Sequence, residues 1–189
     1  DQVGVFVTLS NASSIPSPIL WLDANDSSAG TGTWLDMSGQ GNNAVRNGSP
    51  TLTGQWNNLP VMNYNGSNGN YHKFTEITDA RTIFWVLKTE KNNWVWLIGD
   101  NNMHPFHPQG TNVFATYANP NGARNGIFWT NGTDIHGSSA KLPINYSWNI
   151  LVSRAVSDIE VSNFSNDRNI NGRYFKGDLA ELIIYNKSL

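Results

Sequence analysis

Residues that form turns recur along this chain at short and regular intervals. Gly, Pro, Asn and Asp interrupt the sequence about every eight to twelve residues, and no stretch of useful length shows helical periodicity. The interruptions include Asn65-Gly66, Asn131-Gly132 and Asn171-Gly172, and Asn-Gly readily takes the positive backbone angles of tight hairpins. This spacing predicts an all-β fold of antiparallel strands.

Apolar and β-branched runs between these turns mark the expected strands. The predicted strands are 3–9, 19–22, 60–64, 71–74, 82–88, 94–98, 112–117, 126–129, 147–154, 158–163, 173–175 and 179–185. Residues 24–59 are rich in Gly, Asn and Ser and are predicted to form a long surface loop. We expect a single domain over residues 1–189, because a chain of this length suits one core.

Side-chain alternation indicates which strand faces are buried. Strands 82–88 and 179–185 are apolar on both faces, as in the middle of a sandwich. Strand 147–154 alternates more cleanly, and Trp148 and Ile150 are predicted to face the core.

Bulk composition excludes several classes of function. Only 14% of residues are charged and the formal net charge is −2, so we expect no nucleic-acid partner. Cysteine is absent, which excludes disulfides and thiol chemistry. No run is long enough for a transmembrane helix, and we expect no membrane insertion. Because the chain starts at Asp1 rather than Met, we expect a mature product or a domain of a longer protein.

The acidic residues show no pattern of a hydrolytic pair. Asp158 and Glu160 share one face of a predicted strand, but their polar flanks indicate a solvated edge. Asp178 and Glu181 are predicted to lie on opposite faces, so neither can pass a proton to the other. No Gly-x-Ser-x-Gly elbow is present. We therefore expect a protein that is not an enzyme.

Two predictions concern how individual carboxylates are satisfied. Glu181 is flanked by Ala180 and Leu182, and we expect it to be buried against a donor such as Arg173 or Arg154. Asp36 and Ser38 lie in a Gly/Asn turn, where their side chains can accept hydrogen bonds from backbone amides.

The segment His104-Pro105-Phe106-His107-Pro108 is stiffened by two prolines, which forbid a helix and do not favour a zinc site. It is interpreted as a loop that presents two imidazoles or that caps the core with Phe106. Aromatic rings beside amide and guanidinium groups are what sugar binding requires. The residues predicted to bind a ligand in this way are His104, His107, Asn119, Asn121, Arg124 and Trp129.

Several motifs stand in a distinctive order: residues 20–24 (LWLDA), 34–44 (WLDMSGQGNNA), 60–66 (PVMNYNG), 171–178 (NGRYFKGD) and 177–186 (GDLAELIIYN). This order resembles the laminin G-like branch of the concanavalin A-like jelly rolls, in the form common in microbial and viral surface proteins. The resemblance implies a two-sheet antiparallel jelly-roll sandwich whose first and last strands lie close together.

The resemblance also implies a function, as an expectation by analogy with the fold. It implies a non-catalytic carbohydrate-binding, lectin-like or adhesion module, extracellular or on a cell or virion surface, whose partner is a glycan or polysaccharide. One alternative is a structural or decoration domain of a phage capsid or tail fibre, which binds virion proteins or other domains of a parent protein. A second is a jelly-roll polysaccharide hydrolase or lyase.

Calcium is the cofactor that the resemblance implies, bound at one rim through an Asp and loop carbonyls. Oxygen ligands suit this ion. The candidate loop acids are Asp23, Asp26, Asp100 and Asp134, and the sequence assigns none of them as a ligand.

Overall fold

The computed structural model describes residues 15–90, 96–100, 105–106, 121–136, 146–166 and 168–189. The described strands are β1 (Leu20–Asp23), β2 (Thr33–Trp34), β3 (Ala44–Asn47), β4 (Thr51–Trp56), β5 (Leu59–Asn65), β6 (Tyr71–Thr89), β7 (Ile98–Gly99), β8 (Ile127–Thr130), β9 (Thr133–His136), β10 (Trp148–Phe164) and β11 (Lys176–Tyr185). A 3-10 turn over Ser27–Gly30 and one short helix, α1 (Asn121–Arg124), complete the described elements. The prediction of an all-β fold is confirmed.

The described strands join in one hydrogen-bonded network, and every described pair is antiparallel. The main path runs β4-β5-β11-β6-β10-β8-β9. Strand β1 pairs with β11, β3 pairs with β2 and β6, and β7 pairs with β10. The first described strand therefore lies beside the last. The finer expectation of two separate jelly-roll sheets stays a prediction.

Two long strands, β6 and β10, hold the network together by changing partners along their length. Tyr71–Lys73 of β6 pair with β3, whereas Thr82–Thr89 pair with β11. Similarly, Leu151–Arg154 of β10 pair with β8, and the end of β10 pairs with β7. The two long strands pair with each other over most of their length, with register shifts after Arg154. The predicted strands 71–74 and 82–88 are thus parts of β6, and the predicted strands 147–154 and 158–163 are parts of β10. Shifts of register stand where turns were expected.

Some predicted segments differ from the structure. The expected loop 24–59 contains β2, β3 and β4, which are short or polar and therefore gave little alternation. Residues 173–175 lie before β11 rather than in a strand, and β7 begins only at Ile98. The predicted strands 3–9 and 112–117 lie outside the described residues. No helix among the described residues is long and apolar enough to cross a membrane.

The core combines a majority of aliphatic side chains with several buried aromatic rings. Trp85 is fully buried and packs edge-on against Phe106, with ring centroids 5.1 Å apart. Phe106 thus takes the capping role that was one of two interpretations of its loop. Deeper in the core, Tyr64 Oη and His72 Nδ1 lie 2.6 Å apart. Burial, and secondarily the charge of Arg46, lowers the pKa of His72 to about 3.

The sheet has a second face that matters for the site. In β6, Ile83, Trp85 and Leu87 are buried in the core, so Phe84, Val86 and Lys88 point to the opposite side, which we call the outer face. Strand register places the following residues on the outer face beside them: Trp21, Asp23, Trp129, Trp148, Ile150, Val152, Asp178, Glu181, Ile183 and Tyr185.

The faces of strand 147–154 are opposite to the prediction. Asn149, Leu151 and Ser153 are buried, whereas Trp148 and Ile150 lie on the outer face, where Ile150 is 40% exposed. The outer face also carries aromatic and other apolar residues. Alternation in the sequence therefore does not distinguish this face from the one that is buried in the core. Hydrogen bonds from Asn131 to Asn149 and from Asn149 to the carbonyl of Ser147 satisfy the buried amide.

A β-bulge in β11 overturns a second prediction. The register with β6 shifts between Leu179 and Glu181, so Ala180 is an extra residue. Asp178 and Glu181 pair with residues two apart on β6 and therefore share the outer face. Leu179 correspondingly joins Leu182 in the core.

Candidate functional site

A contact between two tryptophans shapes the outer face. Trp56, at the end of β4, stacks on Trp148, at the start of β10, with ring centroids 4.8 Å apart and planes 20° apart. Three strands separate β4 from β10 in the sheet. In a flat sheet the two strands would lie about 19 Å apart, at about 4.8 Å per step. The β4–β5 hairpin must therefore curl over the outer face.

Local sequence explains this curl. Asn57 and Asn58 form a two-residue turn with φ of 51° and 65°, and Asn tolerates such positive angles. The register of β4 with β5 shifts between Leu52 and Gly54, which marks a bulge. A Cβ on Gly54 would lie 2.4 Å from Val61 Cγ2. Glycine therefore allows the two strands to approach where the hairpin bends.

A groove of about 180 Å³ lies between this hairpin and the sheet. Its lining combines a tryptophan wall and aliphatic groups with two carboxylates and one exposed amide. The lining residues are Asp23, Asn25, Trp56, Leu59, Pro60, Val61, Val86, Ala180 and Glu181. We call this space the hairpin groove. Sequence patterns do not reveal this groove, because Asp23, Trp56 and Glu181 come together only through strand pairing.

The predicted turn around Asp36 positions one wall of the hairpin groove. Asp36 Oδ1 accepts hydrogen bonds from the amides of Trp21 and Ser38, each at 2.9 Å. Asp36 Oδ2 accepts the amide of Asn42 at 2.9 Å. The expected use of Asp36 as an acceptor for backbone amides is confirmed. The turn thereby fixes β1, which carries Asp23 into the groove.

Two carboxylates lie opposite each other on the floor of the hairpin groove. Asp23 of β1 and Glu181 of β11 are direct cross-strand partners. Trp21 Nε1 donates to Glu181 Oε1 at 2.8 Å, so Trp21 is the donor in place of the predicted Arg173 or Arg154. Burial raises the pKa of Glu181; the Trp21 hydrogen bond opposes this shift, and the charge of Asp23 adds to it.

None of the residues predicted to bind a ligand is among the described residues that line the hairpin groove. His104, His107 and Asn119 lie outside the described residues, and only the backbone of Asn121, in α1, is described. The other two residues in the prediction are Arg124, at the end of α1, and Trp129, on β8. Neither lines the groove. Trp129 lies on the outer face, with the Arg154 guanidinium 5.3 Å from its ring centre.

Three carboxylates from separate elements form a second cluster. Oxygens of Glu76, Asp100 and Glu160 lie within 4.8 Å of one another, and Asp100 is buried. Asp158, which was predicted to share a solvated strand face with Glu160, lies 3.5 Å from Arg81. The oxygen donors suit calcium. Three acids alone do not define a metal site, and we assign no ion to them.

Of the other loop acids considered for calcium, two serve their own turns. Asp23 Oδ1 accepts the amide of Asn25 at 2.8 Å, and Asp26 Oδ1 accepts the amide of Ser28 at 2.9 Å. Hydrogen bonds from the hydroxyl of Ser28 and, secondarily, from its amide lower the pKa of Asp26. Asp134 is an exposed residue of β9.

Comparison of this chain with protein-family models, with curated proteins and with solved structures finds no match. The resemblance to laminin G-like domains therefore stays a prediction.

Proposed function

We propose that this chain is a non-catalytic glycan-binding module and that a sugar ring binds in the hairpin groove. The observation that carries the proposal is the half-buried indole of Trp56 beside Asp23, Asn25 and Glu181. An aromatic face packs against the C–H face of a sugar ring, while carboxylates and amides accept its hydroxyl protons.

The size of the groove supports one ring rather than a whole oligosaccharide. About 180 Å³ is below the roughly 300–1,000 Å³ of pockets that enclose drug-sized ligands. One sugar of a longer chain would lie against Trp56, and the rest of the chain would extend over the surface.

The polar groups around Trp56 are placed to orient such a ring. Asn25 is exposed at the turn after β1, so its side-chain amide is accessible to a ligand. Glu181 is held by Trp21 on one oxygen. An ionised carboxylate accepts on both oxygens. The second oxygen is therefore available to a sugar hydroxyl.

The proposed partner is a glycan or polysaccharide, and the proposed location is extracellular, on a cell surface or on a virion surface, where such polymers are exposed. The low charge of the chain supports this proposal, because neutral sugars need hydrogen bonds and stacking rather than a charged field.

A glycan array followed by calorimetry tests the proposal. The wild-type chain should bind at least one glycan. Trp56→Ala should weaken that binding by about tenfold or more, since a stacking aromatic is commonly worth more than 1 kcal/mol. Trp129→Ala is the matched control, because Trp129 is a half-exposed tryptophan of the same face outside the groove. It should leave the affinity unchanged.

Asn25→Ala provides a second test that does not disturb the tryptophan stack. Because Asn25 is exposed, this variant should keep the wild-type melting temperature and still bind more weakly. Loss of binding in Trp129→Ala alone would move the site to β8. Silence of the wild-type chain across the array would favour the structural or decoration alternative, whereas release of reducing ends would favour the hydrolase.

A further inference from the structure

The floor of the hairpin groove carries a pair of like charges that no cation among the described lining residues compensates. Asp23 and Glu181 are direct partners across β1 and β11, an arrangement that destabilises a sheet when both groups are ionised. Each group also has a backbone or indole donor on one oxygen, from Asn25 and Trp21 respectively. These donors orient the carboxylates without cancelling their charge.

No Lys, Arg or His is among the described residues that line the groove. The nearest cation along β6 is Lys88, two residues from Val86, and its ammonium is already shared. Lys88 Nζ lies 2.7 Å from Asp178 and 3.4 Å from Glu90. On the same face, Arg154 is engaged by the ring of Trp129 and by the carbonyl of Leu189. The part of the groove formed by described residues is therefore electronegative.

We infer, on the basis of the proposed function, that the hairpin groove discriminates by charge: it binds sugar rings that present hydroxyl or amine donors and rejects rings that carry a carboxylate or sulfate. Asp23 and Glu181 are the residues that determine this specificity.

Bringing an anionic sugar to the floor of the hairpin groove costs free energy. The carboxylates are partly screened from water by the hairpin, and charge interactions strengthen where the surroundings are less polar. A hydroxyl donates a proton to either carboxylate and gains a charge-assisted hydrogen bond. A uronate or sulfate can donate nothing at its charged group and meets two like charges.

Paired ligands that differ only in charge test this inference. The probes are oligogalacturonate and its fully methyl-esterified form, together with other acidic and neutral pairs on the array. The wild-type chain should bind the neutral member about tenfold or more tightly. Glu181→Gln should reduce this ratio towards one, because Gln keeps an oxygen for Trp21 Nε1 and removes the charge. Asp23→Asn should act in the same direction.

Asp134→Asn is the control for net charge, because Asp134 is an exposed acid of β9 outside the groove. It should leave the ratio unchanged. Equal binding of both members by the wild-type chain, or a ratio unaffected by Glu181→Gln, would overturn the inference. If Trp56→Ala still abolishes neutral binding in that case, the proposed function survives and charge selection alone fails. Silence for every pair would overturn both.

Discussion

Trp56 and Trp148 stack with their ring centroids 4.8 Å apart, although three strands of the sheet lie between the strands that carry them. The contact closes the β4–β5 hairpin over the outer face and creates the hairpin groove beneath it. The two stacked indoles therefore hold the hairpin over the sheet. The interaction energy of this pair can be measured separately from ligand binding.

A double-mutant cycle measures the interaction energy between Trp56 and Trp148 directly. We expect Trp56→Ala and Trp148→Ala to be coupled by about 0.5–1.5 kcal/mol in the free energy of unfolding, the usual value for a stacked aromatic pair. Urea denaturation of the two single variants and the double variant gives this coupling. A control cycle of Trp56→Ala with Trp129→Ala should be additive within about 0.5 kcal/mol. Equal coupling energies in both cycles would contradict the claim that the Trp56–Trp148 stack holds the hairpin over the outer face.

The bend of the hairpin depends on a missing side chain. Gly54→Ala places a Cβ 2.4 Å from Val61 Cγ2, so either the Val61 side chain or the two strands must move apart. We expect a loss of about 1–3 kcal/mol in the free energy of unfolding, as for other overpacked sites. Adding Val61→Ala should recover part of the loss, because it removes the clashing methyl. Gly32→Ala, with no atom within 4 Å of the new Cβ, is the control.

Glu181 makes the stability of the fold depend on pH in a direction opposite to that of a salt-bridged acid. Its pKa is raised in the folded chain, so the folded state binds the proton more tightly than the unfolded state does. The ionised group therefore destabilises the fold near pH 7, and this cost fades as the pH falls through the raised pKa. We expect Glu181→Gln to raise the melting temperature at pH 7 and to change it less near pH 4.

Asp134→Asn serves again as the control for that comparison, because the side chain is exposed. It should change the melting temperature little at either pH. A Glu181→Gln variant that is less stable than wild type at pH 7 would show that the charge of Glu181 contributes to the fold rather than opposing it.

The buried His72 produces the opposite dependence. Burial lowers its pKa to about 3 from 6.5, so the unfolded chain takes up a proton at a pH where the folded chain does not. The free energy of unfolding should therefore fall as the pH drops from about 6.5 towards 3, by at most about 1.4 kcal/mol per pH unit from this group. Equilibrium denaturation between pH 7 and pH 4 measures the slope.

His72→Gln isolates the contribution of the imidazole. We expect a variant that is less stable at pH 7, because Tyr64 loses its hydrogen-bond partner, and whose stability falls less steeply with pH. An unchanged slope would mean that carboxylates alone cause the acid sensitivity.

Local signals predicted several features correctly because neighbouring residues determine them. Asp36 accepts backbone amides within its own turn, as its setting among Ser, Gly and Asn indicated. Phe106 packs in the core, which is one of the two interpretations of its Pro-flanked segment. The faces of β10, by contrast, were reversed, because Trp148 and Ile150 cover an aromatic outer face.

The sequence by itself determined an antiparallel all-β chain, since turn residues and strand propensity act over a few positions. Only the tertiary structure decided which face is buried and where a ligand could bind. Alternation in a strand assigns residues to two faces, but it does not show which face is buried when both are apolar. The extra residue Ala180 also reverses the faces on which the preceding residues of β11 lie. Asp23, Trp56 and Glu181 all line the hairpin groove because strands that are distant in the sequence pair in the sheet.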